Sequence, residues 1–143
     1  MSEVVVRKAQ ISREYAAKMI ERALERAKEL EKNVSIAVVD DGGYLVAFAR
    51  MDAANPSSVK IALDKAFTAA TTRIATHKWF EILENDAPLR AGAAIGVERL
   101  IVFGGGQPIL HEGAVVGAIG VSGGHWTGDT DIGSAALGIL ENA

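Results

Sequence analysis

The chain reads as an α+β domain, an antiparallel sheet with helices on its faces, in the order α-β-β-α-β-β-β-α. Three observations predict it. Asp40-Asp41-Gly42-Gly43 separates two β-branched or aromatic runs, a strong hairpin signal. Two segments, 12–32 and 57–77, carry apolar residues at three- and four-residue spacing. The last third alternates short apolar runs with glycine turns, so consecutive hairpins keep the sheet mainly antiparallel.

The first helix, residues 12–32, opens on Ser12 as N-cap with Glu14 in the first turn, where the macrodipole favours an acid. Ala16, Met19, Ile20, Ala23, Ala27 and Leu30 form its apolar stripe, and pairs such as Glu14–Lys18 mark a solvated face. Strands Val34–Val39 and Tyr44–Met51 flank the hairpin turn. Alternation puts Tyr44, Val46, Phe48 and Arg50 on one face of the second strand. Asn55-Pro56 breaks the chain before a helix capped by Ser57 or Ser58 and running to about His77. Its predicted buried stripe is Leu63, Phe67, Ala70 and Ile74, with Lys60, Lys65, Thr68, Thr71 and Thr72 off it. Trp79–Glu84 reads as a short helical turn, and 85–96 as an irregular loop.

The remainder reads as strand Leu100–Phe103, turn Gly104-Gly105-Gly106, strand Pro108–His111, turn Glu112-Gly113 and strand Ala114–Ser122. A last helix begins at about Asp129 or Asp131 and runs to Leu140. One face of the final strand, Ala114, Val116, Ala118, Gly120 and Ser122, is nearly bare. A packed helix, a neighbouring subunit or a flat ligand must come close to it.

Composition closes several function classes. With no Cys there is no disulfide framework, zinc ribbon, Fe–S cluster or thiolate-ligated haem. No run approaches the roughly 18 apolar residues of a membrane span, and Arg7-Lys8 interrupts Val4–Val6 too early for a signal peptide, so a cytoplasmic protein without membrane contact is expected. A net charge of −3 of mixed sign does not read as a nucleic-acid surface. The last Lys or Arg is Arg99, and 13 of the 15 glycines lie between Gly92 and Gly138. Any anion held by that basic-free segment needs backbone N–H groups, or a cation from elsewhere.

Two stretches offer such N–H groups, Gly104-Gly105-Gly106 and the loop containing Gly123 and Gly124, although neither fits a phosphate loop or a dinucleotide fingerprint. Asp40, Arg50, Asp52, Lys60 and Lys65 converge if the second helix packs near the end of the hairpin. That cluster is either an ion-pair group or a clamp for a carboxylate or propionate. Of three histidines, His77 reads as a helix C-terminal residue, His111 lies at a hairpin turn and His125 beside Trp126 in a glycine-rich loop. His125, His111 and Tyr15 are candidate haem-iron ligands. Asp129-x-Asp131 begins like a calcium loop but lacks the remaining ligands, so capping explains it better. No activated nucleophile with its base is evident.

Four ordered blocks resemble a known family, the GlcG/HbpS-like proteins. They are Ala37–Asp52, Lys65–Ala69, Gly104–Ile109, and Val116–Gly124 followed by Asp129 and Asp131, and the likeness runs from about Ile11 to Leu140. The resemblance implies a single domain over residues 1–143, a profilin- or roadblock-like layered fold with a five-stranded antiparallel sheet. It also implies homo-oligomers from dimers up to octamers. Members include haem-binding and haem-degrading proteins and the C-terminal domain of some corrinoid adenosyltransferases.

Three functions follow as expectations. The first is a haem- or tetrapyrrole-binding oligomer in which Arg50 or Lys65 pairs with propionates and His125, His111 or Tyr15 approaches the iron. The second is a small catabolic enzyme on a hydroxy, oxo or aromatic acid. There Arg50, with Asp52 beside it, and Lys65 orient the carboxylate, Gly104, Gly105, Gly106, Gly123 and Gly124 line the site, and His125, Asp129 or Lys65 carries the catalysis. The third is a structural oligomerisation module.

Overall fold

The computed structural model describes residues 2–142; residues 1 and 143 of the expected domain lie outside the described residues. Helix α1 (Arg13–Glu29) starts where Ser12 Oγ accepts a hydrogen bond from Tyr15 N at 3.1 Å, and it buries Ala16, Met19, Ile20, Ala23 and Ala27. Strands β1 (Ser35–Asp40) and β2 (Leu45–Arg50) form the expected hairpin. The Asp40 carboxylate closes its turn by accepting from Gly42 N at 2.9 Å and Tyr44 N at 3.0 Å.

Helices α2 (Ser57–Thr72), α3 (Thr76–Glu84) and α4 (Ala87–Gly96) follow, then strands β3 (Gly106–His111) and β4 (Ala114–Ser122), helix α5 (Trp126–Leu137) and a 3-10 turn, Gly138–Asn142. The sheet has four strands, ordered β2-β1-β4-β3, each pair antiparallel. The expectations of five strands and of a single helix between the hairpins are both corrected. Leu100–Phe103 forms no strand because its backbone pairs with a side chain: Ile101 N donates to Thr68 Oγ1 at 3.1 Å, and that hydroxyl donates to Arg99 O at 2.8 Å. The loop expected at 85–96 is largely helical. Asp86 caps it by accepting from Leu89 N at 3.0 Å, and Pro88 sits in the first turn.

Helix α2 stops earlier than expected, at Arg73, whose φ of 64° is left-handed. Thr71 and Thr72 there hydrogen-bond back to the carbonyls of Phe67 and Thr68, a pairing that weakens a helix. Its buried face is also rotated from the expected stripe, since Ala62, Ala66, Ala69 and Ala70 are buried while Leu63, Phe67 and Ile74 are only partly so. Small residues face the sheet because Gly120 of β4 lies directly beneath: a Cβ on Gly120 would stand 2.6 Å from Ala66 N and collide with the Ala62 carbonyl. Ala118 and Gly120 of the bare face of β4 are therefore covered by α2 of the same chain.

Three layers result. On one side of the sheet Ile36, Val38, Ile119 and Val121 pack with α1 and α5 through residues such as Met19 and Ile132. On the other, Ala37, Val39 and Ala118 meet α2. A register shift leaves Val116 unpaired between Ile109↔Gly117 and Leu110↔Val115. Val116 joins the α1-side core, and its carbonyl accepts from Ile11 N at 2.8 Å, which draws the start of α1 to the β3–β4 hairpin. Among the described residues no helix is long and apolar enough to cross a membrane.

Candidate functional site

That anchoring creates a cleft of about 360 Å³ between the segment Ala9–Ser12 and the second hairpin. Ile11, Val116 and Leu140 make it mostly apolar, and Tyr15 and His111 bring a phenol and an imidazole to its wall. The Lys18 ammonium lies 4.7 Å from the centroid of the Tyr15 ring, so one face of that ring is covered by a cation. His111 is exposed, with Nε2 3.9 Å from a carboxylate oxygen of Glu112.

A second arrangement lies under the Gly104–Gly106 turn. Close seating of α2 on Gly120 sends the Lys65 side chain inward. Its Nζ donates to Val121 O at 2.8 Å and to Asp129 Oδ2 at 3.0 Å, with the Phe103 ring centroid at 5.1 Å. Asp129, in the first turn of α5, also accepts from Gly124 N at 3.2 Å. Lys65 is 1% exposed and Asp129 2%. Burial lowers the proton affinity of the Lys65 amine despite the opposing Asp129 charge, and burial likewise raises the Asp129 carboxyl against the pull of Lys65. A Cβ on Gly105 would stand 2.6 Å from Lys65 Nζ, and Gly106 sits against the Lys65 backbone. These glycines thus admit the lysine, and Gly106 N donates to Thr76 Oγ1 at 2.9 Å rather than to a ligand. Lys65 and Asp129, with Gly123, Gly124, Ser57, Ser58 and Ser122, line a cavity of about 220 Å³.

Phe103 and Trp126 wall that cavity and also a groove of about 330 Å³ that contains His77, Phe80 and Gly104. His77 lies near the start of α3, not at a helix C-terminus, because the chain breaks at Arg73. Its Nδ1 is buried and finds no hydrogen-bond partner among the described residues.

The expected cationic clamp does not assemble. Arg50 spends its guanidinium on Ala54 O, at 3.0 and 3.3 Å, and with Asp52 lines a separate groove against α1. Lys60 pairs with Asp64, which Arg99 also holds at 2.7 Å; the two hydrogen bonds outweigh burial and keep the Asp64 carboxyl below its ordinary value. His125 caps α5 through Nδ1, accepting from Thr127 N at 3.3 Å, and lines neither the lysine cavity nor the Tyr15 cleft. Asp131 pairs with Arg26 at 2.8 Å, so the Asp129-x-Asp131 pair is divided between two cations. The cleft-forming bulge at Val116 and the serines around the Lys65 cavity have no local sequence signature. Gly105 and Gly106 were the available signal for a side chain buried beneath them.

Residues 11–138 match the model of the family described as haem degrading protein HbpS-like. The chain is 40% identical over 124 residues, 85% of this chain and 87% of the relative, to an uncharacterized 15.0 kDa protein in the dhaT-dhaS intergenic region of Citrobacter freundii. It superposes on the crystal structure of Klebsiella pneumoniae protein ORFY with a TM-score of 0.93 at 30% identity, covering 100% of this chain and 99% of that one. Against the crystal structure of a PduOC:heme complex the TM-score is 0.83 at 28% identity, over 91% and 94% of the two chains.

Proposed function

Because the chain belongs to this HbpS-like family of haem degrading proteins, we propose that it binds haem or a closely related tetrapyrrole in the cleft between Ala9–Ser12 and the β3–β4 hairpin. One observation carries the reading: His111 and Tyr15, two of the three candidate iron ligands, line the same mostly apolar cleft. Its volume lies within the range of small-molecule sites, roughly 300–1,000 Å³. The likeness to the PduOC:heme complex supports the same ligand.

The residues fit the group in kind. His111 would hold the iron in this reading, since its imidazole is exposed while Lys18 covers one face of the Tyr15 ring. Ile11, Val116 and Leu140 supply the apolar wall, and the exposed Lys8 and Arg13, which bracket Ala9–Ser12 in sequence, replace Arg50 and Lys65 as partners for the propionates. Bound haem would supply a redox-active iron; the chain supplies ligation, a partly dry wall and charge matching.

The protein acts, on this reading, as a cytoplasmic homo-oligomer between dimer and octamer. Val4, Val5, Val6 and Leu110 are all more than half exposed, apolar side chains that a second copy would cover on this reading. Titration of the purified protein with hemin tests the proposal. A sharpened, shifted Soret band with near-stoichiometric saturation is expected. A free-hemin spectrum beside an intact oligomer by sedimentation overturns it in favour of a structural assembly module.

A further inference from the structure

Lys65 is a cation removed from water at the wall of a cavity that the haem reading does not use. Two of its three ammonium protons are engaged, by Val121 O and Asp129 Oδ2. Asp129 already balances its charge, so the cavity has no net positive charge with which to select an anion. What it presents is an amine beside a carboxylate, with serines around them and Phe103 and Trp126 as apolar walls. Amines held in such desolvated surroundings become nucleophiles toward carbonyl carbon.

We propose that Lys65 is a carbonyl-reactive lysine, and that this cavity admits a small aldehyde or ketone which condenses with its ε-amine, Asp129 moving the protons. The Asp129 carboxylate takes one proton from the ammonium. The freed amine lone pair forms an N–C bond to the carbonyl carbon, and a proton passes from that nitrogen to the former carbonyl oxygen, giving a carbinolamine. Asp129 returns its proton to the carbinolamine hydroxyl, which leaves as water while the nitrogen lone pair closes the C=N bond. The products are a protonated imine on Lys65, one water and the Asp129 carboxylate, now paired with the iminium. Burial acts in the same direction, bringing the proton affinities of the two groups toward each other.

Reductive trapping tests this independently of haem. The protein as purified is treated at neutral pH with acetaldehyde and sodium cyanoborohydride, and the ethylated lysines are located by mass spectrometry of chymotryptic peptides. Although Lys65 is 1% exposed, it is expected to take the label several-fold faster than each of the six other lysines, and to lose that lead when the chain is unfolded in urea. Asp129→Asn, with its circular dichroism spectrum retained, is expected to abolish the lead while the other lysines label as before. Labelling of those six with Lys65 unmodified or no faster overturns the proposal, as a measurement on the unmutated protein alone. An undiminished lead in Asp129→Asn overturns the role given to Asp129.

Discussion

Lys65 Nζ lies 3.0 Å from Asp129 Oδ2, and the pair joins α2 to α5 beside the C-terminal end of β4, where solvent scarcely reaches. Removing one partner strands the other as a buried charge, which costs far more than the pair itself contributes. Asp129→Ala is expected to lower unfolding free energy by about 3–5 kcal/mol in urea denaturation. The double variant Lys65→Met, Asp129→Ala should lose less than the sum of the two single losses, with a coupling of about 0.5–3 kcal/mol.

Asp64 gives a pH prediction of definite sign. Its carboxyl in the folded protein lies below the ordinary 3.8, because the hydrogen bonds of Lys60 and Arg99 outweigh burial. The group therefore adds stability that is fully present well above 3.8 and is lost as pH falls through the lower folded value. Asp64→Asn should be less stable than the parent at pH 7, and the gap should close on acidification below about 3.8, read from urea midpoints across that range.

The seating of α2 on the sheet makes two glycines opposite in effect. Gly120→Ala forces a methyl against Ala66 N and the Ala62 carbonyl and should cost at least about 1–3 kcal/mol. Gly92→Ala, inside α4 with nothing within 4 Å of the new carbon, should stabilise by about 0.4–1 kcal/mol. Thermal unfolding of the two variants distinguishes helix seating from a general intolerance of side chains.

Arg50 should be dispensable for ligand chemistry, since its guanidinium is bound to Ala54 O and faces neither the Tyr15 cleft nor the lysine cavity. Arg50→Ala is expected to leave both hemin affinity and Lys65 labelling unchanged.

Helix α1 and the first hairpin were legible because one stripe, one cap and one Asp-Gly turn all point the same way, and the buried residues of α1 follow that stripe. Leu100–Phe103 resembles a strand through its apolar run, whereas Thr68 on α2 takes the Ile101 N–H, a partner 33 residues away in the chain. The face of α2 is hidden in the sequence for a related reason: bulk marks Leu63 and Phe67 as core, but proximity to Gly120 selects small residues. Lys65 and Asp129 each stand out in the sequence individually. Their pairing depends on Gly105 and on the position of α5, so it emerges only from the assembled fold. Local order alone groups Arg50 with Lys65, and tertiary packing separates them.

The most direct test of the haem assignment compares hemin spectra of the parent protein with those of His111→Ala and His77→Ala. The two imidazoles line different cavities, one the Tyr15 cleft and the other the aromatic groove. His111→Ala is expected to lose the shifted Soret band, or to weaken hemin binding at least about tenfold, while His77→Ala keeps the parental spectrum and stoichiometry. A parental spectrum in His111→Ala together with its loss in His77→Ala would contradict the assignment and move the haem to the groove beside Phe103 and Trp126.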